Sequence, residues 1–369
     1  MPRVRSRAPI SPWTAAGPRN DGRGAARAVR RSGIRGPGAE KTVSLALQGG
    51  GAHGAFTWGV LDALLEDGRL AFEAFTGASA GAMNAIVLIE GWHEGGVDGA
   101  RAQLEQFWRR VSYTGRLSGL QQDLFGRLFA AWSPHNWGHF VAPSLSPYEF
   151  NPLDINPLRD AIAELIDFDR VRDCREVSVF VSATNVWTGK IKVFSREELT
   201  ADHLMASACL PTVFRAVEID GVPYWDGGYM GNPALFPLFY DTWSDDVLLV
   251  QINPVERRET PRTASEIQNR LNEITFNGNL LRELRAIEFV TRLIDDGKLS
   301  RKDYKRVLMH RIDGSGVLDD HEASSRMNAD WSFFLELKEA GRAVAQRWLA
   351  KNYDAIGRRG TLDLKEVVS

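Results

Sequence analysis

The 369-residue chain carries 45 basic and 47 acidic side chains, a formal charge of −2 that gives no general attraction to nucleic acid or to anionic membranes. With 44% hydrophobic and 25% charged residues, it has the composition of a globular protein large enough to bury a core without disulfide or metal staples. Its two cysteines, Cys174 and Cys209, lack the spacing of a disulfide framework or a zinc site and are expected to be small buried apolar residues.

Residues 1 to about 40 hold nine Arg against Asp21 and Glu40, with many Pro, Gly, Ala and Ser and no hydrophobic period. Such a segment buries too little surface to offset its ordering entropy, so a disordered tail is expected. Its Arg-rich, acid-poor texture is also that of an organelle transit peptide. No apolar run approaches the roughly 18 residues of a membrane span, and no secretory h-region is present, so a cytoplasmic location is expected.

From Lys41 to Asn352, short apolar runs alternate with helical patterns, the signature of a mostly parallel sheet covered by helices. Strands are predicted at Val43–Gln48, Phe72–Thr76, Val177–Thr184, Ile191–Phe194, Val247–Ile252 and Val307–Ile312. Ala52, Ala55, Phe56, Gly59, Val60, Ala63 and Leu64 form one continuous stripe of a first helix. Phe334, Leu337, Gly341, Val344 and Trp348 do the same for a C-terminal helix, with residues 353–369 following as an extension.

An aromatic-rich insertion is expected at about 107–150, with Phe107, Trp108, Phe125, Phe129, Trp132, Trp137 and Phe140. It reads as a cap packed on the core or as a lid that touches lipid. Leu271, Ile274, Leu281, Leu284 and Ile287 mark a long helix that covers a pocket or pairs with another subunit.

Between the first strand and first helix stands Gln48-Gly49-Gly50-Gly51-Ala52-His53-Gly54. Consecutive glycines leave backbone N–H groups uncovered while the helix directs its positive dipole end at them, so the loop is a socket for negative charge. The same residues satisfy G-x-G-x-x-G, but the second strand runs into Thr76-Gly77 where a dinucleotide site needs an acidic residue. No Gly-Lys-Ser/Thr follows, which excludes a triphosphate loop.

After the second strand comes Gly77-Ala78-Ser79-Ala80-Gly81, a G-x-S-x-G nucleophile elbow in its strand-to-helix context. A serine hydroxyl needs a base, and none of the seven histidines sits in a setting that recommends it. Asp226, in Tyr224-Trp225-Asp226-Gly227-Gly228, is a candidate; a plain Asp-Gly β-turn is the other reading of the same residues.

Three motifs in order, Gly49–Gly54, Gly77–Gly81 and Asp226–Gly228, resemble those of the patatin-like phospholipases. Ala206-Ser207-Ala208-Cys209-Leu210-Pro211-Thr212-Val213-Phe214 looks like that family's small-residue helix and Pro turn, and the likeness spans about Val43 to Pro254. The resemblance implies a three-layer α/β/α fold and a Ser–Asp dyad, with Ser79 as nucleophile and Asp226 as general base. It implies an oxyanion hole from Gly49, Gly50, Gly51 and Ala52, supported by Gly54, Gly77, Gly81, Gly227 and Gly228.

The family often carries Arg or Lys where this chain has His53, which is read either as a head-group contact or as a plain first-turn helix residue. The implied substrate is a lipid acyl ester, met with peripheral membrane contact, with no metal or organic cofactor. A thioesterase, an acyltransferase, a binding scaffold without activity and a nucleotide binder remain the alternatives.

Overall fold

The computed structural model describes residues 33–114, 146–150, 154, 156–212, 214–318 and 328–368. Its frame is a mixed sheet in the order β6 (Val217–Ile219), β7 (Val222–Asp226), β4 (Ser178–Asn185), β3 (Leu70–Gly77), β2 (Lys41–Leu47), β8 (Asp246–Gln251), β9 (Leu308–Asp313). Adjacent strands from β4 through β9 are parallel, whereas β7 joins β4 antiparallel, as do β6 to β7 and β5 (Ile191–Ser195) to β4.

Alternation along the strands divides the core. Val43, Leu45, Leu47, Leu248 and Val250 pack into one apolar cluster, while Ala46, Val247 and Leu249 pack into a second on the opposite face. The first cluster is covered by α1 (Gly54–Asp67), α2 (Ala80–Thr114) and the C-terminal helix Trp331–Asn352; the second by the long helix Ala264–Asp295 through Leu280, Leu284 and Ile287. Burying both faces makes the domain a three-layer α/β/α structure and accounts for near-continuous apolar runs in the central strands.

The helix over Trp331–Asn352 crosses α1 backbone to backbone. A Cβ on Gly59 would lie 1.9 Å from the Lys338 carbonyl oxygen, and one on Gly341 2.1 Å from that of Phe56, so glycine is required at both crossings. Arg101 from α2 and Arg342 from the C-terminal helix both pair with Asp62 and Glu66 of α1. α2 breaks at Gly95 and Gly96, where φ of Gly96 is +61°, and folds back on itself with Gly91 against Gly99. The reversal returns Trp108 to Asn84, whose side chain accepts the indole N–H at 3.1 Å.

Three sequence-based boundaries move. Residues 33–40 belong to the domain: Ile34–Arg35 (β1) pairs antiparallel with Phe72 and Ala71, and Ile34 is fully buried. A two-residue strand carries no readable period, so in the sequence it reads as part of the tail. Phe107 and Trp108 are core residues of α2 rather than the start of an insertion, and Phe125, Phe129, Trp132, Trp137 and Phe140 lie outside the described residues. The segment after Asn352 is tied to the sheet, with the N–H groups of Thr361 and Leu362 donating to the Met309 carbonyl at 2.9 and 3.0 Å.

Candidate active site

β3 ends at Gly77 and α2 begins at Ala80, with Ala78 and Ser79 forming the sharp turn between them and Ser79 at φ +50°. A non-glycine residue in the left-handed region stores roughly 1–3 kcal/mol of strain, held only where surroundings over-determine it. Here the surroundings do so: the Ser79 N–H donates to the Ser207 hydroxyl at 2.9 Å, and Ser207 is fully buried. The elbow glycines are steric necessities, since a Cβ on Gly77 would sit 2.6 Å from the Ala82 nitrogen and one on Gly81 2.2 Å from the Leu47 oxygen.

The glycine loop leaves β2 alongside this elbow. A Cβ on Gly49 would meet the Ala78 oxygen at 2.6 Å and Ser79 Cβ at 2.7 Å, so the loop backbone lies directly against the serine. Gly51 has φ +60°, and residues Gly51–His53 form a single 3-10 turn that leads into α1. The N-terminal ends of α1 and α2 therefore converge beside Ser79, both presenting positive partial charge.

Among the described residues, the N–H groups of Gly50, Gly51 and Ala52 meet no acceptor, while all three residues line the cavity with Ser79. Gly49 differs. Its N–H donates to Asn232 Oδ1 at 2.7 Å, so the expectation that Gly49 contributes a free donor is corrected: Gly49 anchors the loop. His53, the residue that caps the start of α1, is 2% exposed and is not among the described cavity-lining residues.

Asp226 ends β7 opposite Ala183 of β4 and is 3% exposed. The carboxylate accepts the Gly228 N–H at 2.6 Å, and it faces the same cavity as Ser79. Gly227 is obligatory here because its Cβ would lie 2.1 Å from the Ser182 oxygen. Burial pushes the Asp226 carboxyl up from 3.8 to about 7, with the Gly228 N–H bond and the nearby Ser79 hydroxyl opposing that rise. A carboxylate at that value exchanges protons at neutral pH.

The residues around this pair enclose a cavity of about 110 Å³. Its apolar walls include Met83, Leu158, Leu210, Phe214, Phe276 and Phe334, and Asp226 is the only ionisable side chain among the described lining residues. Sequence patterns missed the buried amides that support the loop: Gln48, Asn232, Asn253 and Asn277. Two of them precede prolines, in Asn232-Pro233 and Asn253-Pro254, at the edge of the sheet where ligands bind in such folds; that placement is the signal available.

Fold and site together define a three-layer α/β protein with a serine held in a strained strand-to-helix turn at the carboxyl edge of its sheet. The family model for patatin-like phospholipases matches residues 45–239, more than half of the chain, and the chain belongs to that family. Membership supports lipid acyl hydrolysis as the general activity. The crystal structure of VipD from Legionella pneumophila is similar over 85% of this chain and 67% of its own, at 14% identity and a TM-score of 0.39. No curated protein sequence matches the chain. Among the described residues, no helix is long and apolar enough to cross a membrane.

Proposed function

We propose that the chain cleaves acyl esters of phospholipids or lysophospholipids through a Ser79–Asp226 dyad, with Gly50, Gly51 and Ala52 as oxyanion donors. One observation carries the reading: a strained elbow serine and a buried carboxylate line one cavity beside backbone amides that meet no acceptor among the described residues.

In this reading Asp226 takes the Ser79 proton as Oγ bonds to the ester carbonyl carbon. The carbonyl oxygen becomes an oxyanion and is received by the loop amides. Collapse breaks the ester C–O bond, the proton passes from Asp226 to the departing alcohol, and the acyl group stays on Ser79. Water then gives a proton to Asp226 while its oxygen bonds to the acyl carbon; the acyl C–Oγ bond breaks, Asp226 returns the proton to Ser79 Oγ, and the fatty acid leaves. The apolar walls suit the acyl chain, and burial of Asp226 keeps its basicity close to working pH.

Fatty-acid release from a panel of phospholipid, lysophospholipid, triacylglycerol and acyl-CoA tests the proposal. Release from phospholipid or lysophospholipid that vanishes in Ser79→Ala is the expected result. Turnover confined to acyl-CoA would make the protein a thioesterase, and acyl transfer to an added alcohol in place of water would make it an acyltransferase.

A further inference from the structure

We propose that Asn253 and Asn232 are positioning residues that aim the Gly50 N–H into the oxyanion hole, an inference that rests on the dyad reading above.

A trans peptide is planar, so its C=O and N–H point in opposite directions. The Gly49 carbonyl and the Gly50 N–H belong to one such unit. That carbonyl accepts Asn253 Nδ2–H at 2.7 Å and Asn232 Nδ2–H at 3.3 Å. Holding the oxygen on the amide side turns the Gly50 N–H to the other side, and Gly50 lines the cavity with Ser79. The preceding peptide is held as well, because Asn232 Oδ1 accepts the Gly49 N–H at 2.7 Å. One asparagine thus grips two successive peptide units, and a second fixes the unit whose N–H matters.

The clamp is itself anchored. Gln48 Oε1 accepts the backbone N–H groups of Ile252 and Asn253, both at 2.9 Å, and Asn253 Nδ2–H at 3.3 Å. Gln48 Nε2 donates to Asn277 Oδ1 at 3.1 Å, and Asn277 Nδ2 donates to the Pro254 carbonyl at 2.9 Å. All four amides are at most 2% exposed. The loop is therefore tied to the end of β8 and to the long helix Ala264–Asp295, away from the serine it serves.

Asn253 shows where the emphasis of the arrangement lies. Both Nδ2 protons are used, yet its Oδ1 is buried without a hydrogen-bond partner among the described residues. An apolar side chain of the same shape would avoid that penalty and would lose the donor that fixes the Gly49 carbonyl. Retaining the amide there fits a requirement for the donor.

The test measures kcat, KM and the rate of fluorophosphonate labelling with p-nitrophenyl butyrate as substrate, together with melting temperature, for the full chain and for Asn253→Ala and Asn232→Asp. An oxyanion donor acts in the transition state, so its misdirection lowers kcat and leaves KM nearly unchanged. Asn253→Ala is expected to lower kcat and the labelling rate on the order of 10²-fold, with KM within about twofold. Asn232→Asp keeps the acceptor for the Gly49 N–H and is expected to lose only about tenfold.

A folded Asn253→Ala with wild-type kcat overturns the inference, as does a rise in KM at constant kcat. If Asn253→Ala fails to fold, Asn232→Asp decides, and an unchanged kcat there overturns it. A wild-type protein that neither hydrolyses the ester nor labels at Ser79 overturns the dyad reading and this inference together. An active wild type with unaffected variants overturns this inference alone.

Discussion

Two buried aspartates on the same sheet, Asp226 and Asp246, sit in contrasting surroundings. Asp246 opens β8 and by residue type has the more familiar set of partners. His310 Nε2 lies 2.9 Å from its carboxylate, and His310 Nδ1 lies 3.0 Å from the Thr361 hydroxyl, an Asp–His–hydroxyl row resembling a triad. The same carboxylate accepts the Gly357 N–H at 2.8 Å, and His310 is fully buried. Neither Asp246 nor His310 is among the residues lining the described cavity. The groups satisfy one another and clasp the C-terminal segment to β8 and β9.

Asp226 accepts the Gly228 N–H and faces a cavity that it shares with a strained serine. Residue types in a row are a weaker guide to chemistry than strain, unengaged amides and access.

Neutralising each aspartate in turn separates the two most strongly. Asp226→Asn is expected to lower kcat on the order of 10⁴-fold, measured with a soluble ester, because the serine loses its base. Asp246→Asn is expected to leave kcat within about twofold while lowering the melting temperature, since it cuts the clasp only.

Next in size is Gly49→Ala. The new methyl would press on the Ala78 carbonyl and Ser79 Cβ, and a displacement of the elbow by a fraction of an ångström is expected to reduce kcat about 10²-fold.

A third test is the pH profile. The working base is the carboxylate form, so kcat/KM should rise through about pH 7 along a single ionisation and level off above it. The stability trend runs the other way. The folded value is raised above 3.8, so the stability associated with Asp226 is complete below about pH 4 and declines as pH rises through 7. The loss amounts to about 1.4 kcal/mol per pH unit across that window. Asp226→Asn should therefore gain thermal stability over wild type as pH climbs from 4 to 7, read by melting temperature.

The smallest effect on activity is expected from His310→Ala. It should cost roughly 3 kcal/mol of stability, from lost packing and an unpaired buried carboxylate, with kcat unchanged.

Much of this contrast is readable in the residues, and the reasons are local. Val43–Gln48 and Val247–Ile252 read as strands because both of their faces are buried, and the glycine runs at 49–51 and the elbow at 77–81 stand beside them in strand-to-helix context. Asp226 is legible only in part: its Asp-Gly-Gly pattern fits a turn equally well, and the ordered family motifs separate the two readings.

The amide clamp is not legible, because Gln48 and Asn277 meet across 229 positions and asparagine carries no periodicity. β1 escapes for the opposite reason, being two residues long and anchored by a single buried side chain, Ile34. The free-donor role expected of Gly49 failed because an acceptor 183 residues away claims its N–H.

The most direct measurement is mass-spectrometric mapping of a fluorophosphonate adduct on wild type and on Asp226→Asn. The dyad account predicts one adduct, on Ser79, formed at least about 10³-fold more slowly in the variant. An adduct on another residue, or equal labelling of Ser79 when Asp226 has lost its charge, would contradict it.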